Sequence, residues 1–286
     1  MPRPGDHHLA SADTIGSRAR ISRAHLGPAW RAERDDRVRR RLAGCTVLVT
    51  GASSGIGRAT SLALGRAGAH VVGLARRPDA LAELADDLAA AGADSTMVHC
   101  DLREPEQVGL ALETLSPLDL DTVISNAGLS IHRAVADSTV RDDLRRSAGT
   151  NLLGPAQLIT GLLPGLRARG RGQVINIGSV SAVVPTAGWA SYAATKAGFD
   201  AWLRALSGEL HGTGVVVTTI HLPLVRTPMV AAGRRTRWAL TADQAASVVL
   251  AATVRQPRSL VPWWARIAGV AGILAPASIE VWNGRR

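Results

Sequence analysis

Lysine and tyrosine are almost absent from this chain of 286 residues: there is one of each. All but one of the 33 long basic residues are arginine. Aromatic residues make up only 3%, which excludes a core built on rings and leaves Ala, Val, Leu and Ile to fill it. The two cysteines, Cys45 and Cys100, match no metal-ligand spacing, so no metal site is expected. They read as small buried hydrophobes at strand ends and suit a reducing cytoplasm. No apolar run long enough for a secretory signal precedes Cys45. Positive charge is plentiful, at a net +10, yet no nucleic-acid fold signature or aromatic stacking pattern accompanies it. No nucleic-acid partner is therefore expected.

What is present is an ordinary globular composition, 46% apolar and 20% charged. The length suits one α/β domain with extensions. Residues 1–43 hold ten Arg and five acidic residues, so half of the net charge lies there. Residues 1–42 read as a basic extension, disordered over 1–28 and with a short charged helix over 29–42.

From Cys45 onward the pattern becomes regular. Apolar β-branched runs at 46–50, 70–75, 96–100, 122–125, 173–177, 215–221 and 259–261 predict strands. Helical patterns at 56–67, 79–91, 104–115, 190–210 and 242–255 alternate with them, and a long one containing Asn151 is expected to break near Pro164. Seven alternations with apolar strands mean a parallel sheet covered on both faces. The expected fold is thus α/β: a doubly wound, parallel, seven-stranded sheet of the Rossmann type, one domain over 43–262. Ligands of such sheets lie beyond the carboxyl ends of the strands, where every motif below falls.

The only Tyr and the only Lys stand four residues apart, in Tyr192-Ala-Ala-Thr-Lys196, side by side on one helix face. An ammonium is a compact point charge, whereas a guanidinium is a planar fork. Beside a phenol that charge lowers the tyrosine pKa from ~10 toward neutrality and makes Tyr192 a general acid/base. The first strand runs into Thr50-Gly51-Ala52-Ser53-Ser54-Gly55-Ile56-Gly57. Its glycines let a diphosphate approach backbone N–H groups, and the next helix presents its positive end to that charge. The second strand ends in Ala75-Arg76-Arg77, with no acid to hold a ribose and repel a 2′-phosphate. Arginine pairs well with phosphate, so NADP(H) is expected over NAD(H). Asp101, in Cys100-Asp101-Leu102, is placed to accept from the adenine amino group. Asn126-Ala127-Gly128 lets a cofactor pass close to the backbone, and the hydroxyl of Ser179 is placed to hold a substrate carbonyl.

Taken together, TGASSGIG, NAG, Asn151 in NLLG, Ser179 and YAATK, in this order, resemble the short-chain dehydrogenase/reductase family across about residues 43–262. The resemblance implies Tyr192 as proton donor to the substrate oxygen and Ser179 as the residue positioning that oxygen. It implies Lys196 on the nicotinamide ribose, lowering the Tyr192 pKa, and Asn151 holding a water in a proton relay. Val225 and Thr227 match positions that bind the nicotinamide carboxamide. The family usually has Pro-Gly just before them, where this chain has Pro223-Leu224. The resemblance also implies a homodimer or homotetramer. A narrower likeness, through Asn126–Val135, Thr219–Met229 and Leu240–Ala246, is to bacterial fatty acyl-CoA reductases of that family. It implies NADPH, a lipophilic small-molecule substrate and reduction of an acyl-CoA to an aldehyde.

Arg234, Arg235 and Arg237 suit either a clamp on a CoA phosphate or a solvated lid. Residues 263–286 are an apolar C-terminal segment, in which Arg266, Pro276 and Glu280 argue against a spanning helix. It reads as a pocket cover or subunit interface, or as a peripheral membrane contact led by Trp263 and Trp264. The leading expectation is a cytoplasmic NADP-dependent oxidoreductase. The alternatives are a non-catalytic NADP(H)-binding regulatory module and a membrane-associated adaptor.

Overall fold

Seven parallel strands make one sheet in the computed structural model, which describes residues 26–137, 142–230 and 239–275. The strands are β1 (Thr46–Thr50), β2 (His70–Ala75), β3 (Ser95–His99), β4 (Leu120–Ser125), β5 (Gly172–Ser179) and β6 (Val215–Leu222). Two short ones, β7 (Val225–Arg226) and β8 (Leu240–Thr241), pair only with each other, and β9 (Ser259–Leu260) completes the main sheet. The strand order is β3-β2-β1-β4-β5-β6-β9. The chain winds outward one way from β1 and the other way from β4, so a crevice opens between the ends of those two strands.

The helices are α1 (Asp35–Leu42), α2 (Gly55–Arg66), α3 (Pro78–Ala90), α4 (Pro105–Leu115), α5 (Asp143–Ala148), α6 (Gly154–Ala168), α7 (Ala190–Glu209), α8 (Ala242–Arg255) and α9 (Trp263–Leu274). Proline begins α3 and α4, where its missing N–H is not needed. A reciprocal capping box starts α8: Gln244 N–H donates to Thr241 Oγ1 at 3.1 Å, and Thr241 N–H donates to Gln244 Oε1 at 2.9 Å.

Alternate strand residues feed two separate cores. Val47, Val49, Ile124, Ile175 and Ile220 pack with Leu64, Leu84, Val248 and Val249 of α2, α3 and α8. Leu48, Val72, Val123, Val174 and Val217 pack on the other face with Val108, Leu158, Leu162, Phe199 and Leu203 of α4, α6 and α7. The helices thus cover both faces, as the strand composition requires.

The part of the N-terminal extension that is described, from Leu26, is folded onto this body. Leu26, Trp30, Val38 and Leu42 are buried in the first core. Arg255, at the end of α8, fastens it: Nε donates to Glu33 Oε2 at 2.9 Å, Nη1 to the Ala29 and Arg31 carbonyls at 3.3 and 3.0 Å, and Nη2 to the Ala32 carbonyl at 3.2 Å. Residues 1–25, the arginines at 234, 235 and 237, and the chain beyond 275 lie outside the described residues.

The expected break near Pro164 is not found. Helix α6 runs through it, because Leu158, Ile159, Leu162 and Leu166 are buried on both sides of the proline. Four such side chains are worth roughly 6–12 kcal/mol of burial, against about 3 kcal/mol for a proline in a helix. The irregularity comes earlier, in a π-helical turn at Gly149–Leu153. Its end is forced by contact: a Cβ on Gly154 would stand 2.0 Å from the Leu102 carbonyl oxygen. No helix among the described residues is long and apolar enough to cross a membrane.

Candidate active site

The carboxyl end of β1 is tied to that of β4 through one hydroxyl. Thr50 Oγ1 accepts from the backbone N–H groups of Asn126 and Ala127 at 2.9 and 3.0 Å. Asn126 Nδ2 donates back to the Thr50 and Gly51 carbonyls at 2.9 and 3.4 Å. These bonds hold the glycine turn beside the crevice. Gly51 has φ 66°, a left-handed conformation that favours glycine. A Cβ on Gly57 would lie 2.2 Å from the Gly51 oxygen and 2.5 Å from Asn126 Nδ2, so only hydrogen fits there.

Helix α2 opens from this turn after Ser54, whose side chain does not cap it. Uncapped N–H groups at a helix N-terminus, behind a turn with glycine at 51, 55 and 57, suit a diphosphate. Ser53, Ser54 and Ile56 are half-buried around it. Thr227 reaches the same turn from beyond β7, its side chain 3.2 Å from where a Gly55 Cβ would be. Val225 is buried in β7, and Pro223 is half-buried before it. The residues therefore fit a dinucleotide lying across the strand ends.

At the end of β2, Ala75 is buried, and Arg76 and Arg77 are exposed. Arg77 Nη2 donates to the Ser53 carbonyl and hydroxyl oxygens at 3.2 and 3.3 Å, which brings a guanidinium to the glycine turn. Asp101 is more occupied than the sequence suggests. Its carboxylate accepts from the Arg103 N–H and Nε at 3.0 Å and from Arg103 Nη2, and it is held below the usual carboxylate range first by that side-chain bonding, with Arg76 contributing. The adjacent Leu102 is buried, with its side chain in the second core.

Helix α7 brings Tyr192 and Lys196 to the same opening. Ser179, the last residue of β5, is hydrogen-bonded to the Tyr192 phenol. Ser181 N–H donates to Ser179 Oγ at 3.1 Å, which leaves the serine's own proton to point at the phenol. Lys196 is 5% exposed, and its Nζ donates to the Ile177 carbonyl at 2.9 Å. A Cβ on Gly128 would be 3.6 Å from that Nζ and 3.5 Å from Asn151 Oδ1, so Gly128 leaves open the space that both polar groups face.

Asn151 stands in the π-helical turn and is buried. Its Oδ1 accepts from Leu129 N–H at 2.8 Å, and its Nδ2 donates to the Leu129 carbonyl at 2.9 Å and to Thr195 Oγ1 at 3.1 Å. Both amide hydrogens are used, so a relay water would have only the second lone pair of Oδ1 for a side-chain partner.

One electrostatic expectation is corrected. In the chain alone the Tyr192 pKa is raised, not lowered: burial pushes it up, and the Ser179 hydrogen bond only partly opposes this. Lys196 spends its ammonium on the Ile177 carbonyl, and burial pushes its own pKa down to about 8.

Several neighbours of the site are not evident from the motifs. Trp189 stands edge-on to Tyr192, with ring centroids 6.0 Å apart, and packs on His132 at 4.8 Å. Arg133 N–H donates to the Gly188 carbonyl at 2.8 Å, joining the loop after β4 to the loop before α7. A Trp three residues before the only Tyr, in a chain so poor in rings, is the one signal that could have flagged this ledge.

A nucleotide cradle at the switch point of a parallel sheet, beside a clustered Ser, Tyr, Lys and Asn, defines a class of dinucleotide-dependent oxidoreductases. The profile of the short chain dehydrogenase family matches residues 45–238. The chain belongs to that family. It is 34% identical to the fatty acyl-CoA reductase of Acinetobacter baylyi over 83% of this chain and 82% of that one. To a fatty acyl-CoA reductase of Mycobacterium tuberculosis it is 35% identical, over 86% and 85% of the two chains. Among solved structures, a 3-oxoacyl (acyl-carrier-protein) reductase from Agrobacterium tumefaciens with NADP bound superposes with a TM-score of 0.69 at 27% identity, covering 77% of this chain and 93% of that one.

Proposed function

We propose that this oxidoreductase uses NADP(H) to reduce a carbonyl on a lipophilic substrate: a fatty acyl thioester to the aldehyde with release of the thiol, or an aldehyde to the alcohol, which it oxidises in the reverse direction. The observation that carries the reading is the meeting of the Ser179 hydroxyl and the Tyr192 phenol at the mouth of the glycine turn, with the Lys196 ammonium buried behind them. When bound, the nicotinamide supplies a hydride to the carbonyl carbon. Gly51, Ser53, Ser54, Gly55, Ile56 and Gly57 would hold its diphosphate, and Asp101, Leu102, Asn126, Ala127 and Gly128 would line the adenine side and the floor. Pro223, Val225 and Thr227 would hold the carboxamide.

Ser179 orients the substrate oxygen, and Tyr192 gives it a proton as negative charge develops there. A phenol kept neutral by burial holds that proton until it is needed, which favours reduction. Lys196 then brings positive charge to the ribose side of the phenol. Asn151, through Leu129 and Thr195, fixes the loop after β4 against α7. NADP preference is supported by Arg76 and Arg77 after Ala75, where no acid stands, and the lipophilic substrate by the two acyl-CoA reductase relatives and the Trp189–His132 ledge.

The test is NADPH oxidation against a chain-length series of aldehydes and acyl-CoAs, with Tyr192→Phe beside the wild type. Rates that rise with chain length support the reading, and preference for C2–C4 compounds removes the lipid part. The variant binds NADPH but loses turnover by orders of magnitude. Wild-type binding without turnover on any substrate leaves a nucleotide-sensing module instead.

The two free thiols suit the cytoplasm. Ile267, Val270, Ile273 and Leu274 are exposed on α9, where we place contact with a membrane surface or a second copy. Liposome flotation and native mass measurement separate the two.

A further inference from the structure

We propose that His221 is a positioning residue: its Nδ1–H holds the main-chain carbonyl of Ser179, and Asp200 steadies the ring from behind. This rests on the reductase reading above. His221 lies on β6 in register with Gly178 of β5 and is buried. Its Nδ1 is 3.3 Å from the Ser179 carbonyl oxygen, and its Nε2 is 3.5 Å from Asp200 Oδ1. Asp200 also faces Arg204 Nε at 3.5 Å, and the charges of Arg204 and of Arg266 on α9 both disfavour a charged ring.

Both groups flanking the ring are acceptors. A neutral imidazole carries one N–H and satisfies one of them, whereas an imidazolium satisfies both. Burial disfavours the imidazolium and Asp200 favours it, with burial the larger influence. Asp200 Oδ1 pairs with the ring through the second proton, on Nε2, at the longer distance. The Nδ1 proton stays, because a bare Nδ1 would set a lone pair against the Ser179 carbonyl in a site closed to water.

Tyr192, Lys196 and Asp200 follow at i, i+4 and i+8 on α7 and so share one stripe. The contacts therefore close a circuit: from α7 through Tyr192 to Ser179, across to His221, and back through Asp200 to α7. One rigid helix sets both ends. The distance between the serine hydroxyl and the phenol is thereby fixed by the fold, not left to the loop that starts at Val180.

The nitrogen chemical shifts of the His221 ring in the intact chain test the contact without reference to turnover. A protonated Nδ1 is expected, and a bare Nδ1 overturns the proposal. Kinetics test the role through three variants. His221→Leu lowers kcat roughly 10- to 100-fold, the range a small misplacement of a catalytic group produces, and leaves the NADPH dissociation constant unchanged. His221→Asn puts an amide donor near the Nδ1 position and restores most of the rate. His221→Gln reaches toward the Nε2 position and does not. Gln equal to Asn, or Leu equal to wild type, overturns the role. A loss in NADPH affinity that matches the loss in kcat also overturns it, since that marks a general structural effect. Wild-type protein with no turnover at all removes the reductase reading, while the ring shifts still decide the Ser179 contact.

Discussion

Replacing Lys196 by Met is expected to make the cofactor-free protein more stable while abolishing turnover. Burial pushes the Lys196 pKa from 10.5 down to about 8. At ~1.4 kcal/mol per tenfold change in proton affinity, keeping the ammonium in the folded chain at neutral pH costs about 3 kcal/mol. Met fills similar space without charge. It forfeits the bond from Nζ to the Ile177 carbonyl, worth about 1 kcal/mol. The net gain is about 2 kcal/mol, or roughly 4 °C in Tm for a domain of this size.

The pH dependence has a definite sign. The folded chain releases the Lys196 proton near pH 8 and the unfolded chain near 10.5. Between those values the unfolded chain binds more protons, so wild-type stability rises with pH. Below them the penalty is fully present. The advantage of the Met variant thus shrinks above pH 8 and reverses near pH ~10, where only the lost hydrogen bond remains. Urea unfolding of both proteins across this range measures it. A variant less stable than wild type at neutral pH, or an advantage that does not change with pH, refutes the reasoning.

Gly57→Ala sets a Cβ against the Gly51 carbonyl and the Asn126 amide; it is expected to cost about 3 kcal/mol or more and to abolish NADPH binding by fluorescence titration. Gly109→Ala is the control: it points into open space from the middle of α4, and a gain of about 0.5–1 kcal/mol is expected in thermal melts. Arg76→Ala is expected to weaken NADPH roughly tenfold and NADH little, the size of one charge-assisted phosphate contact; equal losses would contradict the proposed preference. Arg255→Ala removes the ion pair to Glu33 and the bonds to three carbonyls. About 2 kcal/mol of stability goes with them, and limited trypsin digestion at Arg31 and Arg34 becomes faster than in wild type.

The sheet was legible because each strand is an apolar β-branched run and each turn lies where helix and strand periods change. The glycine turn and the Tyr192–Lys196 pair were legible because both are local: their chemistry depends on spacing within one turn or one helix. What was not legible is contact at long range. The π-helical turn depends on Gly154 meeting Leu102 and on Asn151 clasping Leu129, and no window of sequence contains both partners. Arg255 and Glu33 lie 222 residues apart, so an Arg-rich extension gave no sign of its anchor. The pKa of Tyr192 is not legible in the sequence for a related reason. Spacing puts an ammonium on the same face as the phenol, but only the fold decides that the ammonium turns to the Ile177 carbonyl.

The scarcity of two residue types makes the centre of this protein its own reporter. Near-ultraviolet titration of the intact chain follows a single phenolate, against a background of indoles that do not ionise, so the acidity of Tyr192 can be read with and without nucleotide and no substitution. An acylating reagent likewise has one side-chain amine to find. Its reaction rate at Lys196 measures how often the buried end of α7 opens to solvent.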